Sequence, residues 1–97
     1  MKPSDLLDLI KAAYGLTSDY QVMKRFGFSQ TGISSWRTNR SFPDDMVLVR
    51  FAEVLDIKLG VLVLHSVIWR KKDPQIKRSL EKVLEALAYC ENSEILD

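Results

Sequence analysis

The segment FGFSQTGISSWRTNR, residues 26–40, stops one helix and starts another within three residues, and no other feature constrains the chain as much. Gly27 follows Phe26 where a helix needs a left-handed residue to end, a conformation glycine adopts without a Cβ penalty. Ser29, two positions on, is a residue type that caps a new helix by accepting from its free N–H groups. Around this turn the apolar residues are Val22, Met23 and Phe26 on one side and Phe28, Ile33 and Trp36 on the other. Two short helices joined this closely must cross steeply, as in a helix-turn-helix, with those side chains between them.

The same punctuation recurs along the chain. Ser4 is placed to cap a first helix whose stripe is Leu6, Leu7, Leu9, Ile10 and Ala13, ending before Gly15. Ser18 caps the second helix and Ser29 the third, which ends around Thr38. Pro43 suits the first turn of a fourth, with Asp44 and Asp45 on its positive end and Met46, Val47, Val49, Phe51, Ala52 and Leu55 on its apolar side. DIKLG, residues 56–60, reads as a turn before a fifth, mostly buried helix that ends near Arg70, Lys71 and Lys72. Asp73 and Pro74 open a sixth, with the stripe Ile76, Leu80, Val83, Leu84 and Leu87. No segment alternates at period two over a strand length. The expected class is all-α: a five-helix domain over residues 1–72, a sixth helix over 73–90, and a frayed polar tail over 91–97.

At 97 residues the chain suffices for one domain with its own core, and its 46% hydrophobic and 28% charged content is that of a globular protein. The longest apolar stretch, LGVLVLHSVIW, falls short of the roughly 20 residues that span a bilayer. Acidic residues interrupt the apolar run at the N-terminus, so it does not read as a signal peptide. A lone cysteine, Cys90, excludes an intramolecular disulfide and fits a reducing cytoplasm. Charge is segregated: residues 1–43 carry six Lys/Arg against three Asp/Glu, 44–58 two against four, 59–78 five against one, and 79–97 one against five. Such a division suits a basic face meeting a polyanion and an acidic end turned away.

With Ile33 and Trp36 inward, the opposite face of the third helix centres on Thr31, Ser34 and Thr38, flanked by Gln30 and Ser35. Hydroxyls and amides there can both donate and accept, and threonine methyls can touch a thymine methyl. Arg37 and Arg40 flank the face and suit phosphates. No carboxylate interrupts it.

These residues carry a resemblance. SDYQVMKRFGFSQTGISSWRTNRSFP resembles the helix-turn-helix of the Cro/repressor (XRE-type) superfamily, and with the following AEVLDI it is similar to small regulators of filamentous and other temperate phages and prophages. The specific likeness covers residues 18–57, and residues 58–97 match loosely. It implies a compact lambda-repressor-like domain of five helices whose third enters the major groove of double-stranded DNA. It also implies promoter occlusion by a homodimer on an inverted-repeat operator, in the cytoplasm of a bacterial host. Carried over residue by residue, base reading falls on Gln30, Thr31, Ser34 and Ser35. Phosphate contact falls on Thr38, Asn39 and Arg40, with Arg37 as a further candidate. Three positions depart from the pattern. Met23 replaces a small alanine, Asn39 a glycine, and Asp19 stands where a phosphate-binding glutamine is usual, with Tyr20 and Gln21 as possible substitutes. Gly32 inside the reading helix costs about 1 kcal/mol against alanine.

Nothing in the chain points to an enzyme, a cofactor, a metal or a small-molecule substrate. His65 has no second ligand candidate of its type, and one histidine on an apolar helix does not make a catalytic set. Trp69 is open between core and subunit interface, and the cluster Arg70, Lys71, Lys72, Lys77 and Arg78 between a solvated junction and a phosphate patch. Ile76, Leu80, Val83, Leu84 and Leu87 are surplus to a five-helix domain, so the expectation is dimerisation through them. The functional expectation is a DNA-binding transcriptional repressor. The alternatives are the antitoxin or autoregulator of a two-gene operon, and an interaction module such as an anti-repressor that keeps the fold without binding DNA.

Overall fold

A computed structural model of the chain describes residues 1–92, with side chains through Leu87. Six helices and no strand make up the described residues: α1 (Pro3–Tyr14), α2 (Asp19–Phe26), α3 (Gln30–Arg37), α4 (Asp45–Leu55), α5 (Leu59–Arg70) and α6 (Pro74–Asn92). The fold is all-α, as the punctuation of the sequence requires.

Local chemistry sets most boundaries. Ser18 Oγ accepts from Gln21 N at 3.2 Å, Ser29 Oγ from Gly32 N at 3.0 Å, and Asp44 Oδ1 from Val47 N at 3.0 Å. Gly15 (φ 65°) and Gly27 (φ 73°) close α1 and α2 in the left-handed region. Two starts differ from expectation. Helix α1 begins earlier, with Lys2 as cap and Pro3 in its first turn, where a missing N–H costs nothing. Ser4 is therefore inside the helix, and its amide donates to Asn39 Oδ1 at 3.0 Å. Pro43 lies outside α4, buried one residue before the Asp44 cap.

The core takes Leu6, Leu7 and Ile10 from α1, Val22 from α2, Ile33 and Trp36 from α3, Phe42 from the following loop, Leu48, Phe51 and Ala52 from α4, and Leu62 from α5. Burying each large aliphatic or aromatic side chain contributes about 1.5–3 kcal/mol. At its centre Phe51 meets Phe26, Phe28 and Trp36 edge-on, with ring centroids 5.8, 5.7 and 6.3 Å away. Phe28 and Trp36 pack edge-to-face at 5.1 Å across the α2–α3 turn. That aromatic contact fixes the angle at which α3 leaves the turn.

The sequence stripes need correction in detail. Leu9 and Ala13 are exposed, as is Met46, and Val49 is half-buried. Leu48 is fully buried in their place. At 100° per residue Met46 points about 160° away from Leu48. Helix α5, expected to be mostly buried, buries only Leu62 and Ser66, with its other apolar residues half-buried or, at Leu59, exposed. Among the described helices α6 packs against α5 alone, so neither can wrap the other. Leu80 and Leu84 are half-buried, whereas Ile76, Val83 and Leu87 remain 46%, 49% and 43% exposed. Helix α6 includes Glu91 and Asn92, two residues of the expected tail. Residues 93–97 and the side chain of Cys90 lie outside the described residues. Among those described, no helix is long and apolar enough to cross a membrane.

Candidate nucleic-acid interface

Helix α3 is pinned from beneath. Ile33 and Trp36 are 6% and 8% exposed, which turns Gln30, Thr31 and Ser34 outward. Gln30, Thr31, Ser34, Ser35 and Arg40 together line one open cleft of about 380 Å³. The four expected base-reading residues are thus adjacent on one surface, with Arg40 on its rim. No carboxylate lines it.

Gly32 has a local reason to be glycine. A Cβ there would stand 3.1 Å from Ser29 Oγ, the atom that caps the helix by accepting from Gly32 N. A side chain at residue 32 would crowd the cap that starts α3. The glycine keeps this short helix closed at its start, at the expense of its interior propensity.

The remaining candidates separate into different roles. Ser35 Oγ lies 2.6 Å from Ser41 Oγ, tying the end of α3 to the loop that follows. Thr38 Oγ1 donates to Ser34 O at 2.8 Å and accepts from Arg40 Nε at 3.3 Å, so Thr38 orients the arginine beside the cleft. Asn39 adopts the left-handed conformation (φ 59°) that its departure from glycine required. Its carbonyl is committed to Ser4 N, which latches the exit of α3 to the start of α1. Arg40 is exposed.

Arg37 does not line the cleft: its guanidinium is bound to carboxylates of α1 and α2. Nε and Nη2 donate to the two oxygens of Asp19 at 2.7 Å each, and Nη2 also donates to Asp8 Oδ1 at 2.9 Å. Lys11 Nζ completes the cluster, 3.4 Å from Asp19 and 3.8 Å from Asp8. The hydrogen bonds from Arg37 hold the Asp19 carboxyl below its ordinary range, against the opposing effect of partial burial. The same bonds raise the already high pKa of Arg37 further. Asp19, which stood out as a missing phosphate anchor, is therefore the partner that fixes the C-terminal end of α3. The pairing spans 18 positions and so leaves no local signal in the sequence.

The other substitutes at the start of α2 also divide. Gln21 Oε1 accepts from Thr17 N at 2.6 Å, which occupies it in capping, whereas Tyr20 is 62% exposed. Met23 is half-buried against the core, and its backbone carbonyl accepts from Gly27 N and Phe28 N at the turn. His65 lies far from α3 in sequence and lines a separate cleft with Met1, Lys2, Trp69 and Leu84. Burial, and secondarily the N-terminal ammonium, lowers its pKa.

No family model, curated protein or solved structure matches this chain. Functional inference therefore rests on the geometry of α3 and its surroundings.

Proposed function

We propose that the chain is a sequence-specific DNA-binding transcriptional regulator, a repressor that occludes a promoter by placing α3 in the major groove. The observation that carries this reading is the cleft of Gln30, Thr31, Ser34 and Ser35, polar and carboxylate-free, with Arg40 at its rim. Amide and hydroxyl groups on one helix face match the donor and acceptor edges that distinguish base pairs in that groove. A rim arginine supplies a phosphate contact that sets register without reading sequence. The α2–turn–α3 unit supports membership of the Cro/repressor-type helix-turn-helix proteins. The exposed Ile76, Val83 and Leu87 support action as a homodimer on an inverted repeat.

A second reading has one observation in its favour. Arg37 is neutralised by Asp19 and Asp8, which removes a cation from the end of α3 and suits an interaction module on the same fold. A mobility shift on the chain's own upstream DNA separates the two. Retardation that persists against excess random-sequence competitor supports the regulator; no retardation at low salt leaves the interaction module.

A further inference from the structure

The α5–α6 junction concentrates charge that the fold does not use. Arg70, Lys71, Lys72, Lys77 and Arg78 fall within nine residues, against the single carboxylate of Asp73. Five cations elsewhere are engaged: Lys11 and Arg37 are in the carboxylate cluster, and Lys24, Arg25 and Arg50 sit over aromatic rings. At the junction, Arg70 donates to the buried Ser66 hydroxyl at 3.4 Å, and none of the five makes an ion pair among the described residues. Four of the five are exposed and Lys77 is half-buried. Like charges on one short connection repel each other, and a polyanion relieves that repulsion while releasing its own counterions.

Position supplies the second argument. Trp69, the residue before Arg70, packs its ring 6.1 Å from that of Phe42. Phe42 is buried and follows Arg40 by two residues, and Arg40 lines the α3 cleft. The core thus seats the C-terminal end of α5 against the segment that leaves the cleft. Glu81 and Glu85 of α6 line a cleft with Lys77, whereas Arg70, Lys71 and Lys72, on the approach to α6, do not line it.

We propose that the α5–α6 junction is a second phosphate-contacting surface, gripping the DNA backbone beside the groove that α3 enters. The proposal rests on the reading of α3 as a DNA-facing helix. A duplex is favoured over an acidic protein because Trp69, next to the patch, packs on Phe42, two residues from the Arg40 that lines a cleft free of carboxylates.

The test compares the wild-type full chain with Arg70→Gln/Lys71→Gln/Lys72→Gln and with the double variant Lys71→Gln/Lys72→Gln, which leaves the Ser66 bond intact. Two probes are titrated over a salt series: the duplex that wild type enriches from a randomised pool, and an unrelated random duplex. Both variants should bind both probes more weakly, by about tenfold per lost contact near 0.1 M salt, and flatten the log–log salt slope by about 0.9 per contact. Lys71→Arg/Lys72→Arg should retain the wild-type slope. Unchanged affinity and slope in the double variant, with Arg40→Ala altering both, would overturn the junction while leaving the α3 reading intact, and would give the patch to an acidic partner instead. Failure of wild type to enrich or retard any duplex would overturn both.

Discussion

Thr31 and Ser34 project from α3 on the side opposite Ile33 and Trp36, so binding and folding separate by residue. Thr31→Ala or Ser34→Ala should leave the melting temperature near wild type and weaken specific binding by about 1–3 kcal/mol, the worth of a good base contact. Nonspecific binding should persist in the same titration. Trp36→Ala, by contrast, empties a site in contact with Phe28 and Phe51 and should cost about 3–5 kcal/mol of stability. Calorimetry that finds Trp36→Ala as stable as wild type would contradict the inward placement. The Asp19–Arg37 pair gives a pH dependence of definite sign. Because the Asp19 carboxyl is depressed in the folded state, its contribution is present above its unfolded pKa of about 3.9 and is lost as pH falls through the lower folded value. Asp19→Asn should therefore destabilise at neutral pH and lose that difference progressively below pH about 4, in urea unfolding run as a pH series. A variant difference that instead grows on acidification would mean that the pair does not stabilise the fold.

At the level of elements, α3 is held at both ends by contacts of different legibility. Its start was readable: Ser29 is a cap by type, Gly27 a stop by type, and the structure uses both so. Its end was not. Asn39 was legible as a left-handed residue, but its bond to Ser4 crosses 35 positions, and long-range pairing leaves no local periodicity to read. On α4 the run 46–49 is apolar throughout, so residue type does not separate Leu48, which is buried, from Met46, which is exposed; only angular position against the other helices does. Helix α5 misled for a related reason: an apolar composition all round reads as burial, whereas packing in the chain covers only Leu62 and Ser66 completely. The Asn39 latch makes a prediction at this scale. Asn39→Gly keeps a residue at ease with positive φ but leaves Ser4 N without its partner. Stability should fall by about 0.5–1.5 kcal/mol, the net worth of one hydrogen bond. Hydrogen exchange should show the first turn of α1 opening more readily while α4 is unchanged, and equal protection of Ser4 N in both proteins would remove the latch.

Across the whole molecule, the apolar residues of α6 divide in two. Leu80 and Leu84 are half-buried on a helix packed against α5, whereas Ile76, Val83 and Leu87 are each more than two-fifths exposed. The proposed dimer should therefore depend on the exposed three. Leu80→Glu or Leu84→Glu would disturb the α5–α6 packing, and a loss of binding there could be a loss of fold. Val83→Glu and Leu87→Glu avoid that ambiguity, because in the monomer both charges would stand in water. If the exposed face pairs across a two-fold axis, the two α3 helices can enter successive major grooves about 34 Å apart, and the operator is an inverted repeat with half-sites about one helical turn apart. The double variant Val83→Glu/Leu87→Glu should then sediment as a folded monomer with wild-type helicity, and bind a full operator no more tightly than a single half-site. Footprints should show the same division, with wild type protecting two symmetric half-sites and the variant protecting either one only at higher concentration. Wild type that sediments as a monomer at micromolar concentration and protects one asymmetric site would refute the two-fold arrangement, and would leave the α6 face to a different partner while preserving the assignment of α3.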